Sequence, residues 1–324
     1  MKVYRSLAET PAGFGPSALT IGNFDGVHFG HRRILRRLVS LAAERGWKPS
    51  ALTFDPHPTR IVAPERTPPL LTSPDRRVEL MAEEGVEQVL ILPFTREVAE
   101  LSPEQFVRGI VAGRLGARAV LVGENFHFGY RHAGDVRTLA QLGRKYGFET
   151  EIVRSATCRG RIVSSSGIRQ LIRGGGVSLA GRFLQRPYAV EGPVVSGRGV
   201  GSKQTVPTLN LAAEAEIIPA NGVYVTSTVE EPGGARRWNS ITNVGYRPTF
   251  GASDELSIET YLLDPLEGET PARIRVEFLC RLRGERKFDS PEALKAQILR
   301  DVRAAGNYFR RLGTWTPAQR TGTA

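Results

Sequence analysis

The sequence lacks the features that mark secreted, disulfide-bonded or membrane-spanning chains. It contains only two cysteines, Cys158 and Cys280, which fits reduced thiols better than a disulfide framework. No apolar run approaches the roughly 20 residues that cross a bilayer. The first fifteen residues contain no apolar segment of a signal peptide. We find no internal repeat and no extended low-complexity segment, and we expect a cytoplasmic globular protein with no membrane partner.

Length and charge narrow the class of protein. A chain of 324 residues predicts two domains, and 40% hydrophobic with 24% charged residues is typical of globular proteins. The net charge is +11, of which +9 falls within residues 1–182 and +2 within 183–324. A basic first half is compatible with nucleotide or nucleic-acid binding, and charge alone does not choose between them.

The first half alternates strand and helix patterns, which predicts a doubly wound parallel α/β sheet. A Pro-rich loop interrupts the alternation between 56 and 74. The predicted strands are 17–24, 48–56, 86–92, 117–122 and 148–153, and the predicted helices are 31–45, 75–84, 103–114 and 135–146.

The pattern changes after the glycine triplet Gly174–Gly176. A short helix at 179–184 leads into five strand-like segments separated by turn residues, which predicts a small antiparallel barrel. Ser290-Pro291-Glu292 then caps a C-terminal helix, and the tail from Thr314 has a composition typical of disorder. We predict a Rossmann-like first domain at 1–182, a barrel domain at 183–313 and a disordered tail at 314–324.

The segment IGNFDGVHFGH, residues 21–31, is the first candidate site. A strand ends near Phe24, a glycine-bearing turn follows, and His28 and His31 lie at the mouth of the next helix. Free backbone N–H groups and the helix dipole favour phosphate there, and two imidazoles can donate hydrogen bonds as charge builds on a phosphoryl group. Helix capping is the alternative role, and zinc lacks a convincing third ligand.

Four arginines, residues 32, 33, 36 and 37, open the helix after this turn. They form two i, i+4 pairs of like charge, which repel weakly. We interpret them as a solvated face opposite the apolar stripe. Nucleic-acid contact is the alternative, but no binding motif or set of stacking aromatics supports it.

A second candidate site is the segment GPVVSGRGVGSKQTVPTLNL, residues 192–211. Gly197, Gly199 and Gly201 make a loop whose backbone N–H groups can cradle phosphates, although a hairpin turn explains a bare glycine loop better. The loop fits neither a Walker A motif nor a Rossmann fingerprint. In the strand pattern farther along, Glu259 is either a functional carboxylate or a solvent-facing strand residue.

Taken together, the motifs resemble the bacterial bifunctional riboflavin kinase/FAD synthetase (FMN adenylyltransferase) family. The adenylyltransferase module is similar at GNFDGVHFGH, TFDPHP (53–58), GENFHFGYRHAGD (123–135) and VSSSGIRQLI (163–172). The riboflavin kinase barrel is similar at PTLN (207–210), GVY (222–224), NVGYRPTF (243–250), SIETYLLD (257–264) and the closing stretch 278–301. The motifs occur in the family's order over about nine-tenths of the chain.

For the first module, the resemblance implies adenylylation of FMN by ATP to give FAD and pyrophosphate. His28 and His31 would stabilise the α-phosphate, Gly22, Asn23, Phe24 and Asn125 would contact ATP, and Ser164 and Arg169 would hold the β- and γ-phosphates. Asp55 and His57 either contribute to this pocket or shape it through a Pro-bounded turn. Arg131 is either a phosphate clamp or part of a surface ion pair.

For the barrel, the resemblance implies phosphorylation of riboflavin to FMN with ATP and Mg²⁺. Thr208 and Asn210 would serve Mg²⁺ and the phosphates, Gly199 and Gly201 would bind ATP, Glu259 would be the catalytic base, and Arg283 would contact flavin. The partners expected are these small molecules, without nucleic acid, and the chain would be a monomer or a weak homo-oligomer.

The segment GSKQT, residues 201–205, departs from the family pattern. Ser202 replaces the usual arginine, Gln204 an aliphatic residue and Thr205 a glycine, so Thr205 would be strained if that position needs a positive φ. With Thr208, Asn210 and Glu259 intact, we expect kinase activity with altered ATP affinity. Two alternatives stay open: a monofunctional FAD synthetase whose barrel only binds flavin, and a non-enzymatic nucleic-acid-binding or flavin-sensing protein.

Overall fold

The computed structural model describes residues 1–195, 208–247 and 255–314. The chain divides by its contacts into two compact units, Met1–Ser165 and Ser166–Ala324. Helices α7 (Ser165–Arg173) and α8 (Val177–Leu184) lie between this division and the barrel, so the domain limit at 182/183 stays a prediction. The expected tail lies outside the described residues from 315 onward.

The first unit contains a six-stranded parallel sheet of order β1-β4-β3-β2-β5-β6, which confirms the doubly wound prediction. Its strands are β1 (Lys2–Tyr4), β2 (Ser17–Ile21), β3 (Lys48–Asp55), β4 (Gln88–Pro93), β5 (Ala117–Gly123) and β6 (Glu149–Val153). The main helices are α1 (Phe29–Arg45), α3 (Pro74–Glu83) and α6 (Val136–Tyr146). The short strand β1 and the small hairpin β7 (Thr157–Cys158) and β8 (Arg161–Ile162) were not predicted.

Side-chain alternation along the strands builds a core on each face of this sheet. In β4, Leu90 and Leu92 pack on one face with residues of the helical segment after Pro103 and of α6. Val89 and Ile91 point to the other face and pack with α1 and α3. Because both faces are covered by helices, the carboxyl edge of the sheet is where a ligand site can open.

Two predicted segments differ from the structure for local reasons. The predicted helix 103–114 is a short α-helix, α5 (Pro103–Phe106), continued by a π-helical stretch at Val107–Arg114. The Pro-rich loop contains helix α2 (Pro58–Val62), because a proline fits the first turn of a helix and His57 caps it. Helix α4 (Arg96–Ala99) is a single turn that was not predicted.

Three of the four arginines of α1 form ion pairs with glutamates of neighbouring elements, in contrast to the predicted solvated face. Arg32 is buried and pairs with Glu84, so its interpretation as solvated was wrong. Arg36 is exposed, and its Nε lies 2.6 Å from the other carboxylate oxygen of Glu84. Arg37 forms a fork with Glu151, with Nε–Oε1 and Nη2–Oε2 distances of 2.9 and 3.0 Å. Carboxylates of neighbouring elements therefore take up much of this basic cluster.

The second unit contains a closed barrel of order β10-β13-β12-β11-β14-β9, in which all recorded pairs are antiparallel, as predicted. Its strands are β9 (Tyr188–Val195), β10 (Thr208–Leu211), β11 (Gly222–Glu231), β12 (Arg237–Arg247), β13 (Glu255–Leu262) and β14 (Arg273–Arg283). Helix α9 (Pro291–Thr314) packs Ala305 against Val223, Val225 and Ile241. In the part of the chain that the structure describes, no helix is long and apolar enough to span a membrane.

Candidate active sites

The first candidate site is the turn between β2 and α1. Phe24, Gly26 and Val27 have φ values of 49°, 82° and 36°. For the two non-glycine residues this conformation is strained, at a cost on the order of 1–3 kcal/mol each, and such strain clusters at functional sites. The turn ends at His28, which is the N-cap of α1.

The two histidines of the motif stack on each other at this helix N-terminus. Their ring centroids lie 3.7 Å apart with an interplanar angle of 13°, and the Phe24 ring packs edge-on to His31 at 5.1 Å. Nδ1 of His28 accepts the backbone N–H of His31 at 3.4 Å. In the neutral ring of His28 the proton therefore lies on Nε2, which can donate to a ligand. Helix capping and a role in catalysis are therefore compatible, because His28 caps α1 through Nδ1 and can donate to a ligand through Nε2.

His31 is held in its neutral form. Burial lowers its pKa well below the ordinary value, and electrostatic coupling to the neighbouring His28 and Arg77 side chains lowers it further by opposing protonation of His31. Its Nδ1 is buried and has no hydrogen-bond partner among the described residues. A neutral imidazole can still donate one N–H to an anionic ligand.

Asp25 fixes the turn to the loop before α3, a role that sequence reasoning missed. Its buried carboxylate accepts the backbone N–H of Leu71 at 2.9 Å and that of Thr72 at 3.1 Å. Its own carbonyl oxygen accepts the hydroxyl of Ser165 at 2.9 Å. Its place inside the GNFDGVH motif was the available signal.

His57 joins the same edge of the sheet through Asn23. Nδ1 of His57 accepts the backbone N–H of Thr59 at 3.2 Å, and Nε2 lies 3.1 Å from the side-chain amide nitrogen of Asn23. A neutral imidazole accepts at only one nitrogen, so the backbone contact assigns the ring proton to Nε2. The amide of Asn23 must then present its oxygen to His57, which leaves its NH₂ group for another acceptor.

The remaining predicted phosphate contacts of the first motif set lie on several separate segments of the sequence. Gly22 precedes Asn23, and a Cβ there would lie 3.3 Å from the Phe24 ring, which favours glycine. Asn125 is exposed, and its backbone oxygen lies 3.0 Å from Nδ1 of His127. Ser164 is half-buried at the end of the first unit, whereas Arg169 lies in α7 of the second unit and is 8% exposed.

Two further residues with open alternatives, Asp55 and Arg131, are both exposed. Asp55 ends β3 and is exposed. Arg131 is exposed, has a φ of 52°, and its guanidinium lies 5.2 Å from the ring centroid of Tyr130. Among the described residues Arg131 has no ion pair, so the surface ion-pair alternative has no support there.

The second candidate site is a row of polar residues across three barrel strands. Asn210 of β10 lies directly opposite Glu259 of β13, and Asn243 of β12 lies opposite Glu259 on its other side. Directly opposed residues have Cβ atoms about 4.5–5.5 Å apart, so the three half-buried side chains share one face. Thr208, two residues before Asn210, lies on that face and is exposed.

This row can hold a hard cation beside a base. A threonine hydroxyl, an asparagine oxygen and a carboxylate are the oxygen ligands that Mg²⁺ takes, with waters and phosphates completing its shell. Oε1 of Glu259 accepts the hydroxyl of Ser257 at 3.1 Å. Sequence reasoning missed Asn243, although its place in the NVGYRPTF motif was a signal. Gly199, Gly201 and the whole GSKQT segment lie outside the described residues.

Arg283 is tied to the C-terminal helix. Its Nη2 and Nε donate to Oδ2 of Asp301 at 2.9 and 3.1 Å, and its guanidinium lies 5.7 Å from the Phe288 ring centroid. This fork joins the end of β14 to α9. The expected flavin contact of Arg283 stays a prediction, and the observed contacts give it a positioning role as well.

Comparison with known proteins assigns both units to characterised families. The FAD synthetase family model matches residues 12–167, and the riboflavin kinase family model matches residues 184–309. Proteins named bifunctional riboflavin kinase/FMN adenylyltransferase match along most of their length. The one from Pseudomonas fluorescens is 36% identical over 88% of this chain and 91% of that protein, and the one from Escherichia coli K12 is 34% identical over 90% and 92%.

A solved structure extends the similarity to the fold. A chain from Streptococcus pneumoniae, titled a macrolide-efflux protein, has a TM-score of 0.83 and 26% identity, and the match covers 94% of this chain and 98% of that one. This similarity concerns the fold, and macrolide efflux is said of that protein alone. The domain matches and the full-length relatives agree with the motifs, and the chain belongs to the bifunctional riboflavin kinase/FMN adenylyltransferase family.

Proposed function

We propose that this protein makes flavin cofactors in two steps, phosphorylating riboflavin to FMN at the barrel and adenylylating FMN to FAD at the first unit. The observation that carries the proposal is the stacked histidine pair at the N-terminus of α1, in the unit that matches FAD synthetase. The Asn210–Glu259 row in the unit that matches riboflavin kinase supports the other step. We place both reactions in the cytoplasm.

In the adenylyl transfer, an FMN phosphate oxygen attacks the α-phosphorus of ATP and pyrophosphate leaves. Negative charge grows on the α-phosphate oxygens, and positioned donors stabilise it without a protein nucleophile. His28 supplies its Nε2–H, and neutral His31 supplies the N–H of its own ring. The histidine pair lies at the N-terminus of α1, where the helix dipole favours the phosphates. Asn125, Ser164 and Arg169 stay predictions as further contacts of ATP.

In the kinase step, the ribityl 5′-hydroxyl of riboflavin attacks the γ-phosphorus of ATP and ADP leaves. Glu259 accepts the hydroxyl proton, a role that a half-buried carboxylate can fill when the substrate hydroxyl lies within hydrogen-bond distance of it. Thr208 and Asn210 would hold Mg²⁺, which neutralises phosphate charge when it is bound. The oxygen donors of this row fit that ion.

A time course separates the proposed function from its nearest alternative. Purified full-length protein is incubated with riboflavin, ATP and Mg²⁺, and flavins are resolved by chromatography. We expect FMN to appear first and FAD to follow. If riboflavin stays unchanged while added FMN becomes FAD, the protein is a monofunctional FAD synthetase. If neither flavin is formed and ATP is not consumed, the proposal is wrong.

Reciprocal variants assign each step to its site. We expect His28→Ala to slow FAD formation by about 10²–10³-fold, the usual loss for one transition-state donor, and to leave FMN formation unchanged. Glu259→Ala should slow FMN formation by about 10²–10⁴-fold and spare FAD formation from added FMN. His132→Ala and Glu267→Ala, exposed residues of the same units, are the matched controls. One substitution that abolishes both steps in a folded protein contradicts separate sites.

A further inference from the structure

A buried arginine is connected to the first candidate site by hydrogen bonds. Arg77 is on α3 and is 2% exposed. Its Nη1 donates to the Thr53 hydroxyl at 3.2 Å and to the Phe54 carbonyl oxygen at 3.4 Å, and its buried Nε has no partner in the described part of the chain. Among the described residues, no carboxylate lies within ion-pair distance of it. An arginine this buried is normally paired, so this one calls for a functional explanation.

The contacts of Arg77 lead to the end of β2. The Thr53 hydroxyl, which accepts from Arg77, donates its own proton to the backbone oxygen of Asn23 at 3.2 Å. Asn23 begins the turn that carries the histidine pair, and its side chain contacts His57. A chain of two hydrogen bonds thus connects the guanidinium of α3 to the turn, through the adjacent strand β3.

The charge of Arg77 acts on the same site. Burial lowers the pKa of its guanidinium, and the carboxylates of Asp25 and Asp55 act in the opposite direction. Arginine remains charged even so. The charged or titratable groups that act on the His31 ring are His28, on the preceding turn, and Arg77, on α3.

We propose that Arg77 is a positioning residue for adenylyl transfer: it anchors the Gly22–Phe24 turn through Thr53. Its charge adds to burial, which is the larger effect, in lowering the pKa of His31, so that the neutral ring meets the triphosphate as an N–H donor. This inference rests on the proposed function of the first unit, and it concerns a residue outside the motifs that define that unit.

Variants of the full-length protein separate the two parts of this role. Arg77→Met removes both the anchor and the charge, Arg77→Lys keeps the charge, and Thr53→Val removes the hydroxyl link in a side chain of the same shape. Arg76→Met, which removes a partly exposed positive charge one residue earlier on α3, is the matched control. The measurements are kcat and KM for FAD formation against pH, and the titration of the five histidines by NMR.

Arg77→Met should lower kcat for FAD formation by about 10²-fold, the loss expected from a misplaced reacting group, with little change in either KM. The acid limb of its kcat–pH profile and the NMR titration of His31 should both move to higher pH. Arg77→Lys should leave the His31 titration near that of the wild type. Thr53→Val should lower kcat about ten-fold, the value of one hydrogen bond, without moving the titration.

FMN formation by the barrel of the same molecules reports that the protein is intact. A folded Arg77→Met protein with wild-type FAD formation, or with an unmoved His31 titration, overturns the proposal. If Arg77→Met does not fold, the Lys and Val variants decide by the same criteria. If the wild type forms no FAD, the proposed function fails, and the NMR titration still tests the charge independently.

Discussion

Removing the Asp25 carboxylate should destabilise the first unit measurably. Asp25 is 2% exposed, and its two oxygens accept the buried Leu71 N–H at 2.9 and 3.0 Å and the Thr72 N–H at 3.1 Å. A hydrogen bond to a charged acceptor contributes about 1.5–3 kcal/mol, and the half-exposed Thr72 amide recovers part of its loss from water. Removing the buried negative charge of Asp25 also offsets part of the stability lost with these hydrogen bonds. We expect Asp25→Ala to lower the free energy of unfolding by about 2–4 kcal/mol.

This loss converts into a thermal shift that calorimetry resolves. For a unit of this size each kcal/mol shifts the Tm by about 2–4 °C, so the transition of the first unit should fall by about 5–15 °C. Asp25→Asn keeps one acceptor oxygen but turns an NH₂ group toward the same amides, so its Tm should lie between those of Asp25→Ala and the wild type. The transition of the barrel should stay in place in both variants.

Hydrogen exchange locates the effect. We expect the amides of Leu71 and Thr72 to lose protection in Asp25→Ala, because they lose their acceptor, while amides within β4 keep theirs. FAD formation should fall with the loosened turn, and FMN formation should not. A folded Asp25→Ala protein with the wild-type Tm and unchanged protection at these two amides would refute the claim that the carboxylate holds the loop.

Three further outcomes test other parts of the structure. The pKa of His31 is lowered in the folded protein, so the unfolded chain binds a proton there more readily. The free energy of unfolding should therefore be unaffected by this group above the unfolded pKa near 6.5 and should fall below it, by at most about 1.4 kcal/mol per pH unit. His31→Gln should flatten this slope in denaturant titrations. If Arg283 acts by holding α9 through Asp301, Asp301→Asn and Arg283→Met should raise the KM for riboflavin by similar factors. If Arg283 contacts the flavin directly, Arg283→Met should raise this KM more than Asp301→Asn does. Gly192→Ala should unfold the barrel, since its Cβ would overlap a backbone carbonyl oxygen, and Gly109→Ala, which meets no atom within 4 Å, should leave the Tm within about 1–2 °C of the wild type.

The sequence predicted the elements whose signal is periodic and local. The apolar run of β4 and the apolar stripe of α1 are local features of the sequence, and both elements form close to the predicted positions. The histidine pair was predicted at a helix N-terminus because a turn and two imidazoles lie within eleven residues of sequence. Its stacking was not predictable, since ring orientation depends on the positive φ values at Phe24 and Val27.

What the sequence did not reveal depends on contacts between distant segments. Arg77 lies three and four residues before Leu80 and Met81, a spacing that puts it on the core side of α3, yet its partner Thr53 is on another element. Asn243 becomes a neighbour of Glu259 only through the register of β12 and β13. Local patterns carry neither fact, because strand order and register are set by the packing of the whole sheet or barrel.

The two sites position their reacting groups by different physical means, and this explains why their motifs differ in form. At the first unit, a turn with unusual backbone angles must carry the histidines, so consecutive residues form a compact motif. At the barrel, Glu259 is positioned by pairing with strands on both sides, so its partners are scattered along the chain. A slip of one residue in β13 would turn Glu259 toward the barrel interior, where the hydroxyls of Thr242 and Thr260 already bond to each other at 3.0 Å. Register is therefore as much a part of the proposed kinase site as the carboxylate itself.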